Sequence, residues 1–114
     1  MAERSTKIPN AAAAFVPPDK LTGYLLALAH PVGGPKARFF RAYGFDETNA
    51  AELEAGLLAI ARSADAEATE SPHGTKYVAD GQLLTPSGRS VRVWTVWIVD
   101  PTDPRPRLIT AYPA

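Results

Sequence analysis

The fold of this chain is decided in residues 30–40, which read His30-Pro31-Val32-Gly33-Gly34-Pro35-Lys36-Ala37-Arg38-Phe39-Phe40. Before this stretch, apolar side chains recur at helical spacing over residues 19–28. After it, a second apolar pattern runs to residue 43, and Gly44 is typical of the residue just past a helix end. Pro35 suits the first turn of that second helix, because the N–H that it lacks would have had no partner there. The stretch is therefore predicted to join two helices, over residues 19–28 and 35–43.

The same stretch carries a histidine and two cations. Lys36 and Arg38 fall at the predicted N-terminus of the second helix, where free backbone N–H groups and the helix dipole favour an anion. The combination indicates a site that faces a phosphate. The alternative is that Gly-Gly-Pro only turns the chain and that both cations are solvated.

Length and composition limit the classes of protein that fit. The 114 residues, 46% of them hydrophobic, predict one domain with a single core. The absence of cysteine excludes disulfides and thiolate metal sites, and the two histidines have no partner at ligand spacing, so we expect no metal and no cofactor. The longest apolar run, residues 11–16, is too short to cross a bilayer, and no secretion signal follows Met1. We expect a protein with no membrane contact that is cytoplasmic or is delivered into the cytoplasm of a target cell.

Charge is segregated along the chain although the formal net charge is zero. Residues 1–45 carry six Lys/Arg against two Asp/Glu, a balance of +4. Residues 46–70 carry one cation against seven carboxylates, a balance of −6, and the remainder carries five cations against three, a balance of +2. A neutral molecule with one basic and one acidic face is therefore expected.

The order of periodic segments predicts an α+β fold. Residues 1–6 are polar and expected to fray, and residues 1–17 read as an extended arm. A third helix is predicted over residues 46–63, with Leu53, Leu57 and Ile60 on one core-facing stripe. From residue 66 the period changes to two, with strands predicted over 66–70, 75–84, 89–100 and 107–112 and a proline-rich loop over 101–106. These segments predict helices in residues 18–64 on one face of a four-stranded antiparallel sheet in residues 65–113.

Hydroxyl and aromatic side chains alternate along the last three predicted strands. If the sheet has a partly open face, this pattern supplies a surface able to stack bases and to donate hydrogen bonds to phosphates. The alternative is that these residues were selected for strand propensity alone. The residues concerned are Thr75, Tyr77, Thr95, Trp97, Thr110 and Tyr112.

Five segments together resemble a family of small bacterial domains. They are the run from Leu21 to Phe40, Tyr43-Gly44-Phe45, Gly74-Thr75-Lys76-Tyr77, the strand from Arg92 to Ile98 and the strand from Arg107 to Pro113. Such domains occur alone, often beside a small antitoxin-like protein, and as C-terminal tips of polymorphic and contact-dependent growth inhibition toxins. The resemblance implies a fold of the barnase, EndoU, colicin and RelE class and a metal-independent RNA nuclease, with tRNA a common substrate. It also implies a cognate antitoxin or immunity protein as partner. Trp94 departs from the class, because a polar or basic residue is expected there, and this indicates a different substrate face.

The chemistry of that class assigns roles to particular residues. RNA cleavage without a metal uses the 2′-hydroxyl as nucleophile, and it needs a base, an acid and cations for the charged phosphorane. His30 is the candidate base or acid, because an imidazole titrates near neutral pH. Lys36 is expected to bind the scissile phosphate, with Thr75 and Thr110 donating hydrogen bonds to its oxygens. The expected contacts to the rest of the RNA come from Arg38, Lys76, Tyr77, Trp97 and Tyr112.

A second class of function remains open from the sequence. The near-neutral charge and the lack of an obvious second acid or base favour a non-catalytic binding module or an inactive toxin domain. Histidines also often serve only structural roles, although the placement of His30 beside Lys36 and Arg38 favours a functional site.

Overall fold

The computed structural model describes residues 5–31 and 34–114. The predicted fraying of residues 1–6 and the predicted Gly-Gly turn therefore fall partly outside the described residues, since 1–4, Val32 and Gly33 are not among them. The described chain forms an α+β fold around one antiparallel sheet, whose strands lie side by side in chain order. The strands are β1 Ser5–Lys7, β2 Asp65–Ser71, β3 Gly74–Leu84, β4 Ser90–Asp100 and β5 Asp103–Pro113.

The α+β class is confirmed, but the prediction of four strands is wrong because the sheet has five. The additional strand, β1, comes from the predicted arm and pairs with the start of β2, with Lys7 opposite Asp65. The helices consequently follow a strand and are not the first elements of the fold. A three-residue polar strand leaves no alternation for a pattern to detect.

The helices lie between β1 and β2 in the chain. They comprise α1 Pro18–Lys20, a π-helix over Leu21–Leu25, α2 Gly34–Ala42 and α3 Ala50–Ser63, with 3-10 turns over Ala11–Ala13 and Glu47–Asn49. The predicted helix over residues 19–28 is thus shorter than expected: after Leu25 the chain turns, and Leu28 is 53% exposed. No helix among the described residues is long and apolar enough to span a membrane.

One face of the sheet packs against the helices. Gly81 of β3 lies against Ile60 of α3, and a Cβ at Gly81 would come within 3.1 Å of that isoleucine. Thr95 of β4 is fully buried, and its hydroxyl donates to the carbonyl of Ala79. Among the largest side chains of the core are Leu25, Phe40, Phe45, Leu53, Leu57, Leu83, Trp97 and Leu108.

A β-bulge in β5 determines which residues reach the other face of the sheet, here called the open face. Leu108 pairs with Trp97, whereas Thr110 pairs with Val96, so Ile109 is an extra residue on β5. Directly paired residues share a face of the sheet, and neighbours along a strand alternate. Thr110 and Tyr112 therefore lie on the open face, opposite to the side occupied by Thr95 and Trp97. The single hydroxyl and aromatic surface expected from alternation is split between two faces.

The predicted loop over residues 101–106 is also wrong from residue 103 onward, because β5 begins at Asp103. Proline cannot donate to a strand ladder, but it is tolerated on an edge strand such as β5. Pro106 is buried there, and its carbonyl accepts a hydrogen bond from the backbone N–H of Phe15. The N-terminal segment thus covers part of the β5 edge.

Candidate functional site

Tyr24 is the centre of a cluster of cationic and titratable side chains, here called the Tyr24 cluster. The Nζ atom of Lys20 lies 5.1 Å and that of Lys36 lies 5.4 Å from the centroid of the half-buried Tyr24 ring. The His30 ring packs edge-on against the same ring, with centroids 5.1 Å apart and planes at 88°. Thr110 completes the cluster, because its Oγ1 lies 3.3 Å from the Tyr24 phenol oxygen. One aromatic ring therefore gathers two ammonium groups, an imidazole and a hydroxyl.

The π-helix positions Tyr24 at this point. Its widened turn is closed by a hydrogen bond of 2.8 Å from the backbone N–H of Leu26 to the carbonyl of Leu21. Local π-helical turns occur frequently at functional sites. Leu21 and Leu25 are buried, so the π-helix is held to the core while the half-buried Tyr24 ring remains accessible.

Arg41 of α2 fixes the π-helix from the other side. Its Nε and Nη2 donate to the carbonyl of Leu26 over 3.0 and 2.7 Å, and the same guanidinium pairs with Glu47. Gly34, the first residue of α2, allows a close approach to the preceding turn, because a Cβ there would lie 2.8 Å from the carbonyl oxygen of Leu28. The helix that carries Lys36 is therefore locked against the helix that carries Tyr24.

The phenol of Tyr24 has a perturbed acidity. Burial is the largest single influence and raises the pKa of the Tyr24 phenol. The hydrogen bond with Thr110, a further hydrogen bond with Lys36 and the charges of the two lysines together outweigh it. The pKa of Tyr24 consequently lies below its ordinary value of 10.0. The same contacts that lower this pKa favour the ionised form of the phenol and so make it easier for Tyr24 to release its proton.

The structure brings His30, Lys36 and Thr110 of the predicted site together, but it places Arg38 elsewhere. Residues two apart on an α-helix point about 200° apart around its axis. Arg38 is exposed, whereas Lys36 is half-buried against Tyr24. The two side chains of α2 that were predicted to bind phosphate therefore lie on different parts of the surface.

Thr75 does not join Thr110 in one cleft. Thr75 pairs with Val99 and Thr110 pairs with Val96, so the two threonines lie on opposite faces of the sheet. They are also two strands apart, about 10 Å across the sheet. Lys76, next to Thr75, is exposed on the open face and pairs with Ile98.

The three aromatic side chains predicted to contact RNA have different surroundings. Trp97 is fully buried, and its Nε1 donates to Thr95 Oγ1, so no part of its ring is available to a base. Tyr77 is half-buried and packs against the core on the helix side. Tyr112 is half-buried on the open face, where it pairs with Trp94. Only Tyr112 shares a face with Thr110.

Sequence reasoning missed Tyr24 and Lys20 as site residues. In the sequence Tyr24 falls on the apolar stripe of the predicted helix over residues 19–28, and Lys20 contributes only to the positive balance of residues 1–45. The available signal was a phenol on an otherwise aliphatic stripe, since a buried tyrosine hydroxyl usually needs a polar partner.

A separate groove of about 450 Å³ lies between α3 and β3. Its lining includes Glu52, Gly56, Gln82 and Leu84, and none of the side chains of the Tyr24 cluster. Among the described residues, no three His, Cys, Asp or Glu side chains gather closely enough to hold a metal ion. His30 and Tyr24 therefore meet at the β5 edge, outside this groove.

The fold and the Tyr24 cluster define a small α+β domain with cationic and titratable side chains gathered at a sheet edge. The chain belongs to the family described as a domain of unknown function, DUF6883, which matches residues 7–114. The fold is similar to that of a chain from the structure "Contact-dependent growth inhibition toxin - immunity protein complex from Klebsiella pneumoniae 342". That similarity has a TM-score of 0.70 and 16% identity, and it covers 91% of this chain and 96% of the other. No curated protein matches the sequence significantly.

Proposed function

We propose that this chain is a toxin domain that cleaves RNA without a metal ion, with the Tyr24 cluster as its active site. The observation that carries the proposal is the contact of one phenol with an imidazole, two ammonium groups and a threonine hydroxyl. The sequence supplied one proton-transferring group, His30, and no obvious second. Tyr24 fills that position, which favours an enzyme over a binding module.

The proposed reaction breaks one P–O bond and forms another. His30 takes the proton of the 2′-hydroxyl, whose oxygen attacks the adjacent phosphorus. Tyr24 gives its phenol proton to the departing 5′-oxygen as the P–O5′ bond breaks. The products are a 2′,3′-cyclic phosphate and a 5′-hydroxyl, and exchange with water returns both side chains to their starting protonation states.

The remaining groups of the cluster stabilise charge. The phosphorane carries extra negative charge on its equatorial oxygens, and preorganised cations and donors placed there lower the barrier. Lys36 is proposed to contact the scissile phosphate, with Lys20 beside it and the Thr110 hydroxyl donating to a phosphate oxygen. Arg38 and Lys76, both exposed and outside the cluster, are proposed to bind neighbouring phosphates. Thr75 has no part in the reacting cluster.

The structural similarity supports the toxin class and suggests a partner. The similar chain comes from a complex of a growth inhibition toxin with its immunity protein. We therefore propose an immunity or antitoxin protein that binds this domain and blocks cleavage in the cell that produces it. The substrate is proposed to be RNA, with tRNA as one candidate.

The test is cleavage of total bacterial RNA by the purified chain in excess EDTA. The wild type is expected to produce discrete fragments on a denaturing gel, and His30→Ala and Lys36→Ala are expected to lose this activity. His73→Ala and Arg89→Ala are the matched controls, because they remove the other histidine and an exposed cation of the β3–β4 turn. Intact RNA with the folded wild type, or equal cleavage by all five proteins, would overturn the proposal.

A further inference from the structure

The open face of the sheet carries an aromatic pair beside the Tyr24 cluster. Trp94 of β4 and Tyr112 of β5 are directly paired, and both are half-buried, so part of each ring is accessible. Neither ring belongs to the core, whose fully buried apolar side chains on β4, Val93 and Trp97, lie on the helix side. The bulge at Ile109 is what places Tyr112 on the same face as Trp94.

The aromatic pair is continuous with the proposed phosphate site. Tyr112 lies two residues beyond Thr110 on β5 and on the same face, about 7 Å along the strand. Thr110 contacts the Tyr24 phenol at the β5 edge, so an RNA strand held at the Tyr24 cluster would continue around this edge onto the pair. This continuity favours a nucleotide as the occupant over an unrelated ligand.

The carboxylates of β3 and β4 on the open face are neutralised. Each is paired with an arginine, Asp80 with Arg92 and Asp100 with Arg107. Of the exposed charges farther from the pair, Lys76 of β3 is a cation and Glu67 of β2 a carboxylate. Aromatic side chains on a sheet that is bordered by cations bind unpaired bases by stacking in many RNA-binding proteins.

We propose that Trp94 and Tyr112 form a stacking platform for an unpaired RNA base next to the cleaved phosphate. This inference rests on the proposed function and extends it, because it assigns a single-stranded substrate segment to the open face. It also gives Trp94 a role, although this tryptophan is the residue that departs from the pattern of the resembled class.

The experiment measures binding of two RNA oligonucleotides of equal length and charge, one with bases and one abasic, to the non-cleaving His30→Ala protein. On this background Trp94→Leu is expected to bind the base-containing oligonucleotide about 5- to 150-fold more weakly, and the abasic one unchanged. Trp94→Phe keeps an aromatic ring and is expected to retain most of the affinity. Thermal unfolding of each variant shows that the proteins are folded.

Tryptophan fluorescence supplies a second readout. Trp97 is buried, so quenching by the base-containing oligonucleotide is expected to come from Trp94 and to disappear in Trp94→Phe although binding persists. Equal loss of both oligonucleotides in Trp94→Leu, or no loss of either, would overturn the platform and leave the proposed function intact. A dimer that Trp94→Leu dissociates would overturn it in favour of a second copy of the chain. Failure of every folded protein to bind either oligonucleotide would overturn both proposals.

Discussion

The phenol oxygen of Tyr24 lies 3.3 Å from the hydroxyl oxygen of Thr110, although the two residues are 86 positions apart in the sequence. This contact joins the π-helix to the edge strand β5. It also makes Tyr24 the group through which the helical half and the sheet half of the fold contribute to one site.

Removal of the phenol oxygen alone tests the role of Tyr24. In Tyr24→Phe the ring that packs on His30 remains, but the proton donor is lost. We expect cleavage to fall about 10²- to 10⁴-fold, the usual contribution of one acid or base, while RNA binding is largely kept. Single-turnover cleavage and an equilibrium binding assay would separate the two effects, and a loss of less than threefold would rule out Tyr24 as the acid.

The pH dependence of cleavage provides an independent check on the same residue. As the proposed acid, Tyr24 would act in its protonated form, so activity should fall as the phenol ionises. Because the pKa of Tyr24 is lowered, the midpoint of this alkaline decline should lie below pH 10.0. The profile of kcat/KM for the wild type should show the decline and that of Tyr24→Phe should not; a shared decline would assign it to another group.

The two cations of α2 should differ in their effects on binding and chemistry. The slope of log K against log salt is negative, and removing one cation that neutralises a phosphate of single-stranded RNA makes it shallower by about 0.7. Lys36→Ala and Arg38→Ala should each reduce the slope by that amount, but only Lys36→Ala should reduce cleavage at saturating RNA. Equal reductions of cleavage would mean that both side chains reach the scissile phosphate, in conflict with their positions on opposite sides of α2.

Arg41 should affect both stability and activity although it lies outside the cluster. Arg41→Ala leaves the Leu26 carbonyl without its two donors, which should cost about 1–3 kcal/mol of unfolding free energy and displace Tyr24. Glu47→Gln removes only the charge partner and is the matched control. A fully stable Arg41→Ala protein in urea unfolding would contradict this account of the π-helix.

The stability of the control variant Glu47→Gln should depend on pH in a different way from that of the wild type. The hydrogen bond from Arg41 is the largest influence on the Glu47 carboxylate and lowers its pKa below 4.5. A carboxylate whose pKa is lowered in the folded protein stabilises the fold at pH values above its ordinary pKa. This stabilisation is lost as the pH falls through the lowered pKa. Glu47→Gln should therefore be less stable than the wild type at pH 7, and the two should converge in acid.

The packing of α3 against the hydrophobic core can be tested by two leucine substitutions. Leu57 is fully buried, so Leu57→Ala should cost about 2–5 kcal/mol of unfolding free energy. Leu28→Ala removes the same atoms from a side chain that is 53% exposed, and should cost less than about 0.5 kcal/mol. Equal costs in denaturant unfolding would show that the stripe on α3 does not face the core.

Much of the fold could be predicted because long segments with a regular apolar pattern indicate their own secondary structure. The stripe of Leu53, Leu57 and Ile60 marks α3, and the β-branched residues of β4 mark the longest strand. Two features could not be predicted. Strand β1 is too short to show a periodic pattern. The prolines of β5 indicated a loop, because proline is tolerated in an edge strand and the sequence does not show which strand lies at the edge of the sheet.

The site was predictable only where its residues are close in sequence. His30 and Lys36 stand six positions apart, and the turn between them indicated a shared site. The structure places Thr110 beside Tyr24, which His30 and Lys36 also contact, whereas Thr75 lies on the other face of the sheet. A one-residue bulge reverses the alternation of β5, and no local pattern marks Ile109 as the extra residue.

If RNA is cut by its own 2′-hydroxyl at the Tyr24 cluster, the chemistry is recorded in the ends of the fragments. Total bacterial RNA treated with the purified chain in EDTA would be labelled by polynucleotide kinase without prior phosphatase treatment. We expect new 5′-hydroxyl ends that accept label, together with 2′,3′-cyclic phosphates, from the wild type but not from His30→Ala. Fragments that carry 5′-phosphates, or no fragments from a folded wild-type protein, would contradict it.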